Sequence, residues 1–111
     1  MKTYIKGISY HLPEGILTNQ ELVESFPEWN AEKVANKVGI HQRHIAAENE
    51  TAGDLALIAA QNLFREYNTS PDCIDFILFC TQSPDHYLPT TACLLQKKLH
   101  LHIQDNQQLH L

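Results

Sequence analysis

Two pairs of histidines are the side chains in this sequence whose type and spacing most resemble a metal site. His41 and His44 lie three residues apart, and His100 and His102 form an H-x-H pair that could bind a metal from one face of a strand. No acidic or thiol side chain stands at a motif spacing to His41 and His44, so a solvated or hydrogen-bonded loop is the favoured interpretation. We predict no metal site from either pair.

The three cysteines carry no recognisable pairing. Cys73, Cys80 and Cys93 are odd in number, widely spaced and without a C-x-x-C motif, which predicts neither a disulfide framework nor a zinc site. Cys80 and Cys93 lie in apolar runs, so we expect both to be small buried hydrophobic residues.

A polar loop after an apolar run is the next candidate for chemistry. The run Phe76-Ile77-Leu78-Phe79-Cys80 leads into Thr81-Gln82-Ser83-Pro84-Asp85, and a helix-like segment follows. Open α/β sheets bind ligands at the carboxyl ends of their strands, which is where this loop is predicted to lie.

Composition limits the class of protein. The chain has 111 residues, 43% hydrophobic content and a net charge of -5, which suits one soluble domain or part of one. An acidic chain without a basic, aromatic-rich stripe is not expected to bind nucleic acid or an anionic membrane surface. No apolar run approaches the roughly 18 residues of a membrane span, and residues 1–6 do not resemble a signal peptide. We therefore expect a cytoplasmic protein.

Helix starts are marked by capping residues, namely Thr18 with Glu21, Asn30, and Thr51 with Asp54. We predict a first helix that ends near residue 25 and a second that ends at Gly39, a residue suited to the left-handed conformation after a helix. A third helix is predicted over residues 52–67. Trp29 at N′ and Val34 at N4 have hydrophobic-staple spacing, so Trp29 has a structural explanation that requires no ligand. The third helix carries a wide apolar face, which is typical of a helix packed on a sheet.

Two strands are predicted, over residues 4–10 and residues 74–80. The second has consecutive apolar residues, which indicates burial on both faces, as in a central parallel strand. Residues 11–15 break the chain and residues 40–50 show no period, so both are predicted to be loops. Pro89 is expected in the first turn of a last helix, with Ala92, Leu95 and Leu99 on one face. Together these elements predict an α/β fold.

A set of short motifs follows in order along the chain: Gly7 to Pro13, Thr18-Asn19, Val38-Gly39-Ile40, Arg43-His44-Ile45-Ala46, Asn49-Glu50-Thr51, Thr81-Gln82-Ser83-Pro84-Asp85 and Leu88-Pro89-Thr90-Thr91-Ala92-Cys93. Their order and spacing resemble the N-terminal part of β-ketoacyl-[acyl-carrier-protein] synthase III, a thiolase-like condensing enzyme. The resemblance covers residue 3 to about residue 99, which predicts a partial thiolase-like domain over residues 1–99 and a divergent tail over residues 100–111.

The resemblance implies an acyltransferase of fatty-acid or related acyl-chain biosynthesis. Such enzymes transfer an acyl group from a coenzyme A thioester to a cysteine. They then join this acyl group to malonyl-acyl carrier protein with loss of carbon dioxide. The thioester is a substrate, so no cofactor is implied, and the implied partners are acyl-CoA, the acyl carrier protein and a second subunit of a homodimer. The family's cysteine lies in a Gly-Cys motif after the strand that follows the Cys93 helix, and its catalytic His and Asn lie further on. We therefore assign no catalytic residue here and expect the 111-residue chain to be inactive alone.

Three positions match substrate-binding positions of the family. Leu88 matches one that points towards the acyl pocket of the partner subunit, Lys37 matches a basic one near the mouth of the coenzyme A tunnel, and Trp29 is similar to a tryptophan that stacks on adenine. The alternatives are interface packing for Leu88, a solvated helix end for Lys37 and the staple for Trp29. Trp29 lies about one helical turn further from Gly39 than in the family, which favours the staple. The resemblance also implies a dimer interface at Ser83, Tyr87, Leu88 and Pro89.

The composition changes at Leu99-His100, where the family has a Leu-Gly turn and then an apolar strand. We interpret residues 100–111 as out of register with the family, as a frameshift or truncated gene would leave them. Two further functions stay open: a non-catalytic module that pairs with a full-length synthase through its Thr81–Cys93 loop and helix, and a part of a related synthase with other substrates. Because the strand over residues 74–80 would lack neighbours, we expect the isolated chain to be poorly soluble or molten.

Overall fold

The computed structural model describes residues 1–102 and 108–110 of the chain. The backbone divides into two compact units, one formed by Leu12–Asn49 and the other by Met1–His11 together with Glu50–Leu111. Within the described residues, no helix is both long and apolar enough to cross a membrane. The sequence boundary drawn between residues 99 and 100 stays a prediction.

The Leu12–Asn49 unit contains β1 (Gly15–Thr18), α1 (Asn19–Ser25), α2 (Ala31–Val38) and β2 (Gln42–Ile45). The two strands pair antiparallel, from Gly15 opposite Ile45 to Thr18 opposite Gln42. The loop predicted over residues 11–15 is therefore wrong at Gly15, where β1 begins. The loop predicted over residues 40–50 is wrong over Gln42–Ile45, which form β2. Both strands have only four residues and no fully buried one, so neither has the apolar alternation by which a strand is recognised.

The buried side chain of Asn19 ties α1 to the segment around β2. Its Nδ2 donates to the Ile40 carbonyl at 2.8 Å, and its Oδ1 accepts from an Arg43 guanidinium nitrogen at 3.1 Å. The Asn19 amide also donates to the His41 carbonyl at 3.3 Å. A buried amide must be paired because its desolvation is costly, and these bonds meet that requirement. The Thr18-Asn19 and Arg43-His44 motifs thus have a structural role in this unit.

The helix starts lie where the capping residues predict them. Thr18 Oγ1 accepts from the Glu21 amide at 3.2 Å, and Glu21 Oε2 accepts in return from the Thr18 amide at 2.8 Å. Asn30 Oδ1 accepts from the Lys33 amide at 3.0 Å. Gly39 ends α2 with φ 73°, a left-handed conformation that costs glycine little.

The second unit contains α3 (Ala52–Glu66), a 3-10 turn (Pro71–Cys73), β3 (Ile77–Phe79), α4 (Thr91–Lys98) and β4 (Gln108–His110). The Thr51 and Asp54 capping box is present at the start of α3. β3 and β4 pair in parallel, with Ile77 opposite Gln108 and Phe79 opposite His110. The parallel, α/β character of this part of the chain is confirmed.

Both predicted strands of this unit need correction. Residues 4–10 form no strand, and β3 spans only Ile77–Phe79 of the predicted residues 74–80. Leu78 is 55% exposed, so β3 is not buried on both faces. A strand is defined by its ladder partners, and in the described residues β3 has a neighbour on one side only. Burial on both faces requires a second neighbouring strand, which is not found among residues 1–102 and 108–110.

The buried apolar side chains among the described residues are Ala92 and Leu95 of α4 and Leu101 beyond it. The predicted inner face of α4 is confirmed at Ala92 and Leu95. Pro89, however, precedes the N-cap residue Thr90 and does not lie in the first turn.

The prediction for the cysteines was also wrong. Cys80 and Cys93, like Cys73, are exposed free thiols in the structure. Apolar residues around a cysteine indicate burial only when another part of the protein packs against them. Among the described residues, nothing packs closely enough on Cys80 or Cys93 to bury either side chain.

Candidate functional site

A surface cavity of about 370 Å³ lies along α2 in the Leu12–Asn49 unit. The residues that line it are Glu28, Trp29, Asn30, Lys33, Val34, Lys37 and Val38. Lys33 and Lys37 stand four residues apart, as do Val34 and Val38, and this spacing puts each pair on one face of a helix. The helix therefore lines one cavity with two lysines and two valines.

Trp29 forms the aromatic wall of this cavity. Its ring stacks on Phe26 with centroids 5.3 Å apart and an interplanar angle of 26°, and its amide donates to the Phe26 carbonyl at 2.9 Å. The side chain is nevertheless 50% exposed, so part of the indole surface is available to a ligand. The Asn30 cap fixes the first turn of α2 directly after it.

The chemistry of this cavity suits a ligand with a flat ring and a negative charge. An exposed indole stacks on planar rings, and lysine ammonium groups attract phosphate as point charges. The volume lies within the usual range for small-molecule sites, about 300–1,000 Å³. Trp29 and Lys37, two of the three residues matched to substrate binding in the sequence, thus line the same cavity.

The third matched residue, Leu88, lies in the other unit, on the loop before α4. Leu88 is 83% exposed and Tyr87 97% exposed, and Ser83 and Pro89 are exposed as well. A cavity of about 340 Å³ lies on this loop, lined by Gln82, Pro84, Asp85, His86 and Tyr87. The interface role of these residues remains a prediction.

Asp85 fixes this loop on the first turn of α3. Its Oδ1 accepts from the Gly53 amide and its Oδ2 from the Thr51 hydroxyl, both at 3.0 Å. A Cβ on Gly53 would overlap the Asp85 carboxyl group and would lie 3.0 Å from the Thr91 methyl carbon, so a larger residue there would displace the Asp85 side chain. This contact was not predicted from the sequence, although a glycine in the first turn of a helix can indicate a close approach.

The histidine pairs lie in ordinary surroundings. His44 Nδ1 is hydrogen-bonded to the Pro13 carbonyl, and His100 and His102 are exposed. In the part of the chain that the structure describes, no three His, Cys, Asp or Glu side chains are grouped so that they could hold a metal ion.

Two carboxyl groups near helix starts have altered acidity. Hydrogen bonds from the backbone and hydroxyl of Thr18 lower the pKa of Glu21 below its ordinary value. The Thr51 hydroxyl lowers the pKa of Asp54, with further lowering by Lys98, whose Nζ lies 3.1 Å from Asp54 Oδ1. Both carboxylates belong to capping boxes, which explains their lowered pKa values.

The fold is a partial α/β fold of the thiolase-like kind. No family model matches the chain. It is 43% identical over 98 residues to a β-ketoacyl-[acyl-carrier-protein] synthase III from Oleidesulfovibrio alaskensis, a match that covers 88% of this chain and 29% of the relative. The chain is thus a part-length relative of β-ketoacyl-[acyl-carrier-protein] synthase III, as the sequence resemblance indicated.

Solved structures agree with this relationship. A 3-oxoacyl-[acyl-carrier-protein] synthase III superposes with a TM-score of 0.81 at 44% identity, covering 96% of this chain and 32% of that one. The synthase III from Thermus thermophilus superposes with a TM-score of 0.85 at 28% identity, covering 98% of this chain and 33% of that one. The chain therefore spans about a third of the length of the synthases that it matches.

Proposed function

We propose that the chain acts as part of a 3-oxoacyl-[acyl-carrier-protein] synthase III, an acyltransferase of fatty-acid or related acyl-chain biosynthesis. The reaction joins an acyl group from a coenzyme A thioester to malonyl-acyl carrier protein with loss of carbon dioxide. The support is 43–44% identity to synthases of this name over nearly the whole chain. We place the protein in the cytoplasm, as part of a homodimer whose substrates are acyl-CoA and acyl carrier protein.

The contribution that we assign to this chain is the binding of coenzyme A. The observation that carries this assignment is the cavity at which Trp29 meets Lys33 and Lys37. Coenzyme A offers an adenine ring and phosphates, which match an exposed indole and two ammonium groups respectively. The catalytic cysteine, histidine and asparagine of the reaction fall outside the motifs of this chain.

The geometry of Trp29 favours binding of this kind. The indole is already stacked on Phe26, so little side-chain freedom is lost when a ligand packs against its exposed part. The same arrangement is compatible with the staple to Val34, since Trp29 and Val34 line the cavity together. The two roles predicted for Trp29 are thus not exclusive.

Calorimetric titration of the chain with coenzyme A tests this proposal. We expect Lys33→Gln and Lys37→Gln each to weaken binding about fivefold, since an exposed ion pair contributes up to about 1 kcal/mol. Lys97→Gln removes the same charge from the exposed end of α4 and is the matched control. Absence of heat with coenzyme A, or an equal loss in Lys97→Gln, would count against a site at α2.

A second candidate function is the non-catalytic module that pairs with a full-length synthase. It is favoured by the exposure of Tyr87 and Leu88 on a loop that Asp85 holds in place. Sedimentation of the chain with a full-length synthase tests it. Binding that Leu88→Lys abolishes would support the module, and an unchanged sedimentation profile of the mixture would exclude it.

A further inference from the structure

The two lysines of the α2 cavity carry charges that no neighbouring carboxylate neutralises. Lys33 and Lys37 are both exposed and line the same cavity. Among residues 1–102 and 108–110, neither ammonium group forms an ion pair or a hydrogen bond. Like charges four residues apart on a helix repel each other, so the two side chains keep their charges apart. The cavity therefore holds two separate cations without a counter-charge.

Lys33 lies at the end of its helix that is unfavourable for a cation. α2 begins at Ala31, so Lys33 is in the first turn, where the helix dipole places a partial positive charge. The Asn30 side chain accepts from the Lys33 amide and does not reach the ammonium group. The lysine charge at this position therefore does not stabilise the helix. An anion bound beside it would be attracted by both the ammonium group and the dipole.

Glu28 gives the same cavity a negative end. It directly precedes Trp29, and its side chain is exposed and lines the cavity. Because a carboxylate repels phosphate, the anionic groups of a ligand packed on Trp29 are expected towards Lys33 and Lys37. At 1.5 Å of rise per residue, these two lysines stand roughly 6 Å apart along the helix. Cations separated in this way suit a ligand with two anionic groups better than a ligand with one.

Coenzyme A carries its negative charges in two places. One phosphate is joined directly to the ribose at the 3′ position, and a diphosphate is joined to the ribose through a methylene group. The diphosphate therefore reaches further from adenine than the 3′-phosphate does. Lys33 follows Trp29 by four positions and Lys37 by eight. With adenine on the indole of Trp29, the 3′-phosphate lies nearer Lys33 and the diphosphate nearer Lys37.

We propose that Lys33 binds the ribose 3′-phosphate and makes the α2 cavity selective for coenzyme A over 3′-dephospho-coenzyme A, while Lys37 binds the diphosphate that both compounds share. This inference rests on the proposed function and deepens it. Coenzyme A binding at α2 requires only that lysines attract phosphate, whereas selectivity requires that each lysine takes a different phosphate. Lysine attracts phosphate as a point charge, so selectivity depends on the presence of the 3′-phosphate and of the Lys33 charge.

Calorimetric titrations of the 111-residue chain with coenzyme A and with 3′-dephospho-coenzyme A test the proposal. The wild type should bind coenzyme A about fivefold more tightly, which is the effect of one exposed ion pair. Lys33→Gln should bind the two compounds equally, because its loss affects coenzyme A alone. Lys37→Gln should weaken the binding of both compounds about fivefold and keep the preference. Equal binding of the two compounds by the wild type, or a preference that persists in Lys33→Gln, would overturn the proposal.

Three further measurements separate the charge of Lys33 from any effect on the helix. Lys33→Arg keeps the charge and should keep the preference for coenzyme A. Lys97→Gln removes a charge from the last turn of α4 and should also keep it. The circular dichroism of Lys33→Gln at 222 nm should not decrease, because the variant removes a cation from the first turn of α2. Loss of the preference in Lys33→Arg or in Lys97→Gln would contradict the role assigned to Lys33.

The pair of compounds also separates this inference from the proposed function. Equal binding of both compounds, weakened in Lys37→Gln, supports the coenzyme A site and removes only the role of Lys33. Failure of both compounds to bind counts against the coenzyme A site and against this inference together. A preference for coenzyme A that Lys33→Gln abolishes supports both.

Discussion

Asp85 connects the loop before α4 to the start of α3. Both of its carboxylate oxygens accept hydrogen bonds from the first turn of α3, one from the Gly53 amide and one from the Thr51 hydroxyl. The first amides of a helix have no partner within the helix, so a carboxylate there is favourable through both hydrogen bonding and the helix dipole. Asp85 thus positions the loop that carries Tyr87 and Leu88.

Asp85→Ala should release this loop without unfolding α3. We expect the Gly53 amide to exchange about tenfold faster, because hydrogen bonds to charged groups contribute roughly 1.5–3 kcal/mol. Hydrogen exchange followed by mass spectrometry measures this change. Asp75→Ala, which removes an exposed carboxylate, is the control and should leave Gly53 unaffected. Equal acceleration throughout α3 would indicate global destabilisation instead.

His100 occupies a backbone position that favours glycine. It has φ 54° after α4, its amide donates to the Lys97 carbonyl, and the Leu101 amide donates to the Gln96 carbonyl. These two bonds form a Schellman motif, in which the left-handed residue is usually glycine. His100 therefore takes the left-handed position that ends α4.

His100→Gly should stabilise the end of α4 by about 1 kcal/mol, since a left-handed conformation costs a residue with a Cβ about 1–2 kcal/mol. The urea midpoint of the far-ultraviolet circular dichroism signal should rise. Lys97→Gly, inside the helix, should lower it, because glycine costs about 1 kcal/mol relative to good helix formers. An unchanged midpoint in His100→Gly would contradict the assigned backbone conformation.

At the scale of the elements, capping makes the helices dependent on pH. The folded pKa of Asp54 lies below its ordinary value of 3.8, so the stabilisation is present above that pH and is lost as the pH falls through the folded pKa. The pKa of Glu21 is also lowered, so its contribution to stability is likewise lost as the pH falls. Helix content should therefore decline below about pH 4.

The variant Asp54→Asn should remove part of this acid-induced decline. We expect the circular dichroism at 222 nm to change less between pH 7 and pH 3 than in the wild type, because the ionised cap is gone. Asp75→Asn carries the same charge change outside any cap and should keep the wild-type profile. A profile in Asp54→Asn identical to that of the wild type would contradict the capping role.

Helices were more predictable than strands in this chain, for a physical reason. Thr18, Asn30 and Thr51 each cap a helix through contacts within four residues, so the sequence carries the whole signal. A strand needs partners from distant sequence. Residues 4–10 have the composition of a strand but are not assigned to one in the structure. By contrast, β2 pairs with β1 although its sequence lacks the composition of a strand.

The candidate site was predictable in part. Trp29 and Lys37 were matched to ligand binding by resemblance alone, and only the structure brings them to one cavity with Lys33. The Asp85 to Gly53 contact and the Tyr67 to Ile8 contact join residues 32 and 59 positions apart. Nothing in the local pattern of either partner specifies contacts at such separation.

For the molecule as a whole, exposed apolar surface is the dominant feature. Large apolar side chains such as Tyr4, Ile8, Leu78 and Leu88 are exposed, while few of the described apolar residues are buried. Apolar surface of this extent drives association.

The isolated chain should therefore bind a hydrophobic dye and unfold over a broad temperature range. Fluorescence of anilinonaphthalene sulfonate and calorimetry measure both effects. A sharp cooperative transition of a purified monomer without dye binding would contradict this expectation.

The most direct test of the account uses Trp29, the single tryptophan of the chain. Its emission reports on the α2 cavity alone, so titration with adenosine 3′,5′-bisphosphate and, separately, with pantetheine distinguishes the two halves of coenzyme A. We expect saturable quenching of the Trp29 emission by the nucleotide half, weaker binding in Lys37→Gln, and no saturable change with pantetheine. Emission that neither compound changes, or that pantetheine changes as much as the nucleotide, would contradict a coenzyme A site at Trp29 and Lys37.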